Sequence, residues 1–179
     1  VILGHDRVVA WLARWLRDMT DRPVATEQWV PEWDEVAEGV VRHARLDVAF
    51  VDGEGRRSYV DVAVVAASSS SATVRAARSG ADGAAAAEAV RGKRARYRAH
   101  KNPACPLVPF VVESLGRVSD EALGLLRAVA PTSGPDRSLV LGSALQELSV
   151  LVQTRLAEQL SSAELGCQVS SRAASRRGA

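Results

Sequence analysis

HARLDVAFVDGEGRRSYVDVAVV, residues 43–65, reads as two short strands joined by a turn, each carrying one acid among apolar neighbours. In the first strand Leu46, Val48 and Phe50 are expected on one face and Asp47, Ala49 and Val51 on the other. In the second, Val60, Val62 and Val64 oppose Tyr59, Asp61, Ala63 and Val65. Asp52-Gly53 followed by Glu54-Gly55 marks the turn. The register that pairs Asp47 with Asp61 leaves a hairpin loop at 52–56, an ordinary length. Side chains directly opposite each other have Cβ atoms roughly 4.5–5.5 Å apart, where two carboxylates repel. A divalent cation held by oxygen ligands would relieve that repulsion. The plain alternative is an edge acid facing water at Asp47 and an arginine partner for Asp61. Asp61 lies inside YVDVAVV, an otherwise apolar run typical of a buried strand, and an acid there is costly unless paired or bound to metal.

The pattern ARLDVAF…YVDVAVV…KRARY…VPFVVESLGR, within about residues 24–130, resembles the PD-(D/E)xK nuclease superfamily. More closely, it resembles the restriction-like endonuclease domain of site-specific LINE-type non-LTR retrotransposons. That resemblance implies an α/β fold with a core of helix, three strands, helix and strand, followed by C-terminal helices. It implies Mg²⁺ or Mn²⁺ as cofactor and DNA as substrate. It also implies element RNA and an upstream reverse transcriptase domain as partners, and a nuclear location. Asp47 would correspond to the aspartate of the PD element and Asp61 to the second acid. Leu46 replaces the family's proline, which shapes backbone and is not a ligand. Ala63 stands where the superfamily places its lysine, and in the retrotransposon branch that lysine is expected on the following helix, at Lys93.

The helix at roughly 84–100 packs Arg91, Lys93, Arg94, Arg96, Arg98 and Lys101 into a short span. The net charge of the whole chain is only +2, so this is a local concentration of cations, the footprint of phosphate binding. Lys93 and Tyr97 are four residues apart and share a helix face. That face could aim the ammonium at a scissile phosphate, with Tyr97 supporting the substrate or an attacking water. Arg94 has the shorter spacing to Tyr97, but chemistry favours Lys93. A solvated basic helix end is the alternative.

The 179 residues, 47% of them hydrophobic, suffice for one domain with a real core. No run of about 18 uninterrupted apolar residues and no signal-peptide pattern is present, which predicts an intracellular domain. Cys105 and Cys167 are too few and too far apart for a disulfide framework or a zinc cluster. Residues 5–20 predict an amphipathic helix with Trp11 and Trp15 in the core. VATEQWV, 24–30, predicts a first strand, in which Glu27 is a candidate third metal ligand and a surface glutamate otherwise. Residues 31–39 predict a loop that carries Trp33 to a rim near the DNA. Ser68–Ser71 predict a flexible loop and 72–79 a loose helical piece. LVPFVVES, 107–114, predicts the last core strand, with Pro109 at its start or on an edge and Glu113 as a possible support for the site. Ser119 caps a helix through Val129. A long helix over 136–160 presents Leu141, Leu145, Leu148, Val152 and Leu156 on one side. The expected organisation is a core at 1–131, a helical extension at 132–163 and a disordered basic tail at 164–179. Two further readings stay open: a degenerate copy that binds DNA without cutting it, and a structural partner-docking α/β module.

Overall fold

A computed structural model describes residues 4–66, 82–97, 105–131 and 135–177, with side chains through Ser161. Helix α1 covers His5–Thr20 and strand β1 Val24–Trp29, followed by a 3-10 turn at Pro31–Trp33 and a small hairpin of β2 (Glu35–Ala37) and β3 (Val40–Arg42). Strands β4 (Arg45–Val51) and β5 (Arg57–Val65) precede α2 (Ala84–Arg96), β6 (Leu107–Glu113), α3 (Asp120–Val129) and α4 (Pro135–Arg177). The chain is therefore a mixed α/β protein.

The β4–β5 hairpin has the expected register: Val48 pairs with Val60, Phe50 with Ser58 and Val51 with Arg57. Asp52 builds the turn. Its Oδ1 accepts the backbone N–H groups of Glu54 and Arg56, each at 2.9 Å, and its own N–H donates to the Arg56 carbonyl at 2.9 Å. One step beyond the last paired residues, Val48 and Val60, lie Asp47 and Asp61.

The main sheet runs β1-β4-β5-β6. Its first two pairings are antiparallel and β5–β6 is parallel. A parallel pair needs a crossover, and the segment containing α2 supplies it. Pro109 has no N–H to give a ladder, and β6 is an edge strand, where proline is tolerated. One face of the sheet, with Val48, Phe50, Val60, Val62, Phe110 and Val112, packs under α1, α3 and α4. Leu12 and Leu16 of α1, Leu126 of α3 and Leu148 of α4 are fully buried there, each contributing about 1.5–3 kcal/mol of transfer free energy. The other face carries α2, where Ala86 and Val90 meet Val111, Ala63 and Val65.

Three expectations need correction. Leu46 does not side with Val48; it packs with Ala49, Tyr59 and Tyr97. The alternation breaks because the Asp47 carboxylate, not a backbone carbonyl, receives the Val62 N–H at 2.6 Å. Trp33 is not a rim residue. It is 6% exposed and packs against Tyr59 and Tyr97, with ring centroids 5.1 and 5.8 Å away. Residues 35–42 are a hairpin and not a loop, because Glu38 and Gly39 both take positive φ (53° and 76°), the requirement of a two-residue type I′ turn. The α4 backbone is helical through Arg177. Residues 164–177 contain helix formers, a single glycine and no proline. The expected loop and helical piece at 68–79 lie outside the described residues.

Candidate active site

Asp61 sits in the middle of β5, on the face that α2 covers, and its side chain is 9% exposed. Its Oδ1 accepts a hydrogen bond from Lys93 Nζ, whose side chain is 17% exposed. Its Oδ2 is buried and finds no hydrogen-bond partner among the described residues. Asp47 approaches from β4. Besides the Val62 N–H, its Oδ2 meets His5 Nε2 at 3.2 Å. His5 opens α1, and its Nδ1 lies 3.0 Å from Asp6 Oδ1. Tyr97, at the C-terminal cap of α2, is 5% exposed, and its buried hydroxyl also finds no partner among the described residues. Residues from α1, β4, β5 and α2 thus converge on one point.

Burial is the largest influence on Asp61 and pushes its carboxyl above the ordinary value. The Lys93 ammonium pulls it back down, and the like charge of Asp47 adds to the upward push. Burial also dominates at Tyr97, and with the nearby Asp61 charge it pushes the phenol up to about 12. At His5, burial lowers the imidazole, but Asp6 and Asp47 together raise it above its ordinary value. The site therefore favours the protonated phenol at Tyr97.

Helix α2 carries two of these groups, yet it has only small side chains against the sheet. It is pinned at its ends instead. Glu113, the last residue of β6 and 6% exposed, accepts the Ala86 N–H through Oε1 at 3.1 Å. That N–H belongs to the first turn, where intrahelical acceptors are lacking and a negative charge is favourable. At the other end, Tyr97 is held by Trp33 and Tyr59. Lys93 lies between the two anchors, which is the supporting role open to Glu113.

The expected set is therefore brought together in part. Asp47, Asp61 and Lys93 come together, with Tyr97 near enough for its phenol to be influenced by both carboxylates. Glu27, the candidate third ligand, does not join them. It takes a positive φ of 52°, its side chain is 67% exposed, and it binds Arg45 at 2.5 Å. Arg91, Arg94 and Arg96 stand in different surroundings. Arg94 pairs with Glu121 of α3 at 3.0 Å, Arg96 lies over the Tyr97 ring at 5.2 Å, and Arg91 is exposed beside Asp82 and Arg117. A helix turns 100° per residue, so a run of cations is spread around it. Arg98 and Lys101 lie outside the described residues. His5 is the residue that sequence reasoning misses. Its only signal is its place directly after Gly4 at the start of α1, and nothing in spacing ties it to Asp47.

Among the described residues, no cluster of three or more histidine, cysteine or acidic side chains is arranged to hold a metal. Two carboxylates with one unpartnered oxygen still suit Mg²⁺, which is commonly bound through one or two carboxylates, waters and substrate phosphate. Comparison with protein-family models and with curated proteins gives no match. Among the described residues, no helix is long and apolar enough to cross a membrane.

Proposed function

We propose that this chain is a metal-dependent DNA endonuclease of the PD-(D/E)xK type. In this reading it nicks target DNA by phosphodiester hydrolysis, as the restriction-like endonuclease domain of LINE-type retrotransposons does. The carrying observation is that Lys93 bonds Asp61 from α2, a separate element, while Ala63 occupies the strand position of the usual lysine. The order α1, β1, β4, β5, α2, β6 supports the same reading. Asp47 and Asp61 would hold Mg²⁺ or Mn²⁺, which supplies Lewis-acid polarisation of the phosphate and a more acidic water.

The chain's own residues then have separable tasks. The Lys93 ammonium offsets negative charge growing on the phosphate oxygens in a water-poor setting, where such charges interact strongly. The Tyr97 phenol stays protonated at neutral pH and can donate to a phosphate oxygen or to the attacking water. Asp47 is held in one rotamer by the Val62 N–H and His5. Element RNA, an upstream reverse transcriptase domain and a nuclear setting belong to this reading as well.

The test is conversion of supercoiled plasmid to nicked circles with Mg²⁺ or Mn²⁺. Loss of nicking in both Asp61→Ala and Lys93→Ala supports the assignment. Absence of nicking in the starting protein, with gel retardation of DNA at low salt, replaces it with a binding-only domain. Tyr97→Phe is expected to lower nicking without lowering the melting temperature, because it removes a buried hydroxyl that no group among the described residues satisfies.

A further inference from the structure

Trp29 ends β1 and is 52% exposed, whereas Trp11, Trp15 and Trp33 are 3%, 8% and 6% exposed. An exposed indole ordinarily keeps its rotamer freedom, but this one is clamped. Its Nε1–H donates to both carboxylate oxygens of Asp34, at 3.1 and 3.2 Å. The same Asp34 binds His43 Nδ1 at 2.8 Å and accepts the Ala44 N–H at 2.7 Å. Trp29 and His43 are thereby fixed edge to face, with centroids 5.5 Å apart and planes at 89°. Both rings stand on the surface, since the His43 side chain is 64% exposed. Packing offers no reason to immobilise two exposed rings.

The place of this pair is the second observation. Trp29 pairs with Arg45 across the β1–β4 ladder, and Asp47 lies two residues further along β4, about 7 Å in strand rise. Of the neighbouring cations, Arg45 is held by Glu27, Arg42 stands opposite Glu35 in the β2–β3 ladder, and Arg96 lines the same recess as His43. The two fixed rings offer a surface for stacking. An aromatic face accepts any base, provided that the base is unpaired.

From the clamped geometry we infer that Trp29 and His43 form a stacking platform for an unpaired base beside the cleaved phosphate. This rests on the nuclease reading and deepens it. The preferred substrate has single-stranded character, such as a bubble, a flap or a displaced strand, in place of intact duplex.

Tryptophan emission tests the inference without catalysis. The full chain is titrated in EDTA with a twelve-nucleotide adenine oligonucleotide and with a hairpin duplex of equal length. Saturable quenching by the single strand, weak or absent quenching by the duplex, and protection from acrylamide in the complex are expected. Trp29→Leu should lose the quenching and bind the single strand about 5- to 150-fold more weakly, the range of one base-stacking contact. Equal quenching by duplex and single strand, or quenching that persists in Trp29→Leu, overturns the inference. If Trp29→Leu does not fold, the acrylamide protection in the unmodified protein decides. Plasmid nicking without any oligonucleotide quenching defeats the platform and leaves the nuclease reading intact. Quenching without nicking does the reverse.

Discussion

Asp61 is an acid in the middle of an apolar strand, and the cost of that placement governs its neighbours. Its carboxyl is pushed up by burial even with Lys93 bonded to it. Removing the ammonium with Lys93→Met strands a buried charge, which typically costs about 3–5 kcal/mol at neutral pH. The folded pKa of Asp61 then rises further above the unfolded value. The folded state binds more protons across that window, so stability is retained below it and lost as pH rises through it. The gap between Lys93→Met and the starting protein in urea melts should therefore be large at pH 7 and shrink towards pH 4. A gap independent of pH would sink this account. Sequence alone flagged Asp61, because an acid in YVDVAVV demands a partner. It could not choose among the 23 basic residues, since the choice depends on which element lies over β5.

At the scale of elements, α2 is the device that brings Lys93 to Asp61, and its position depends on its ends. Glu113→Ala removes the acceptor for the Ala86 N–H and should cost about 1–2 kcal/mol, as loss of a cap does. Glu113→Gln keeps a carbonyl acceptor and should recover most of that loss. The finer readout is acetylation. Lys93 and Lys101 are the two lysines of the chain, so acetic anhydride followed by peptide mass spectrometry reports on Lys93 directly. Faster acetylation of Lys93 in Glu113→Ala, restored in Glu113→Gln, is the expected result. Unchanged protection would mean that Tyr97 and its aromatic neighbours suffice to hold the helix. The helix itself was legible from its composition and the Lys93–Tyr97 spacing. The anchor was not, because Glu113 is far along the chain in β6, and only the parallel β5–β6 pairing brings it to Ala86.

At the scale of the whole molecule, α4 packs into the same core as the elements before it. Ala144, Leu148 and Val152 of α4 share one cluster with Leu12 of α1, Val60 of β5 and Phe110 of β6. Leu148 is fully buried in it, so Leu148→Ala should cost about 2–5 kcal/mol. Because the core is shared, fluorescence of Trp11 and Trp15 and far-ultraviolet circular dichroism should lose stability together in a single transition. Separate transitions would show that α4 folds on its own.

The sequence by itself determined the hairpin at 43–65, its register, the α1 core face and the pairing of Lys93 with Tyr97 on one helix. These rest on local periodicity and turn chemistry, which a strand or helix expresses wherever it is placed. Tertiary structure alone decided that His5 meets Asp47, that Glu27 turns outward to Arg45, that Trp33 is buried and that Trp29 is clamped in the open. Each of those depends on which distant elements pack together, and the free energy of a contact between remote residues is not written in the spacing of either one.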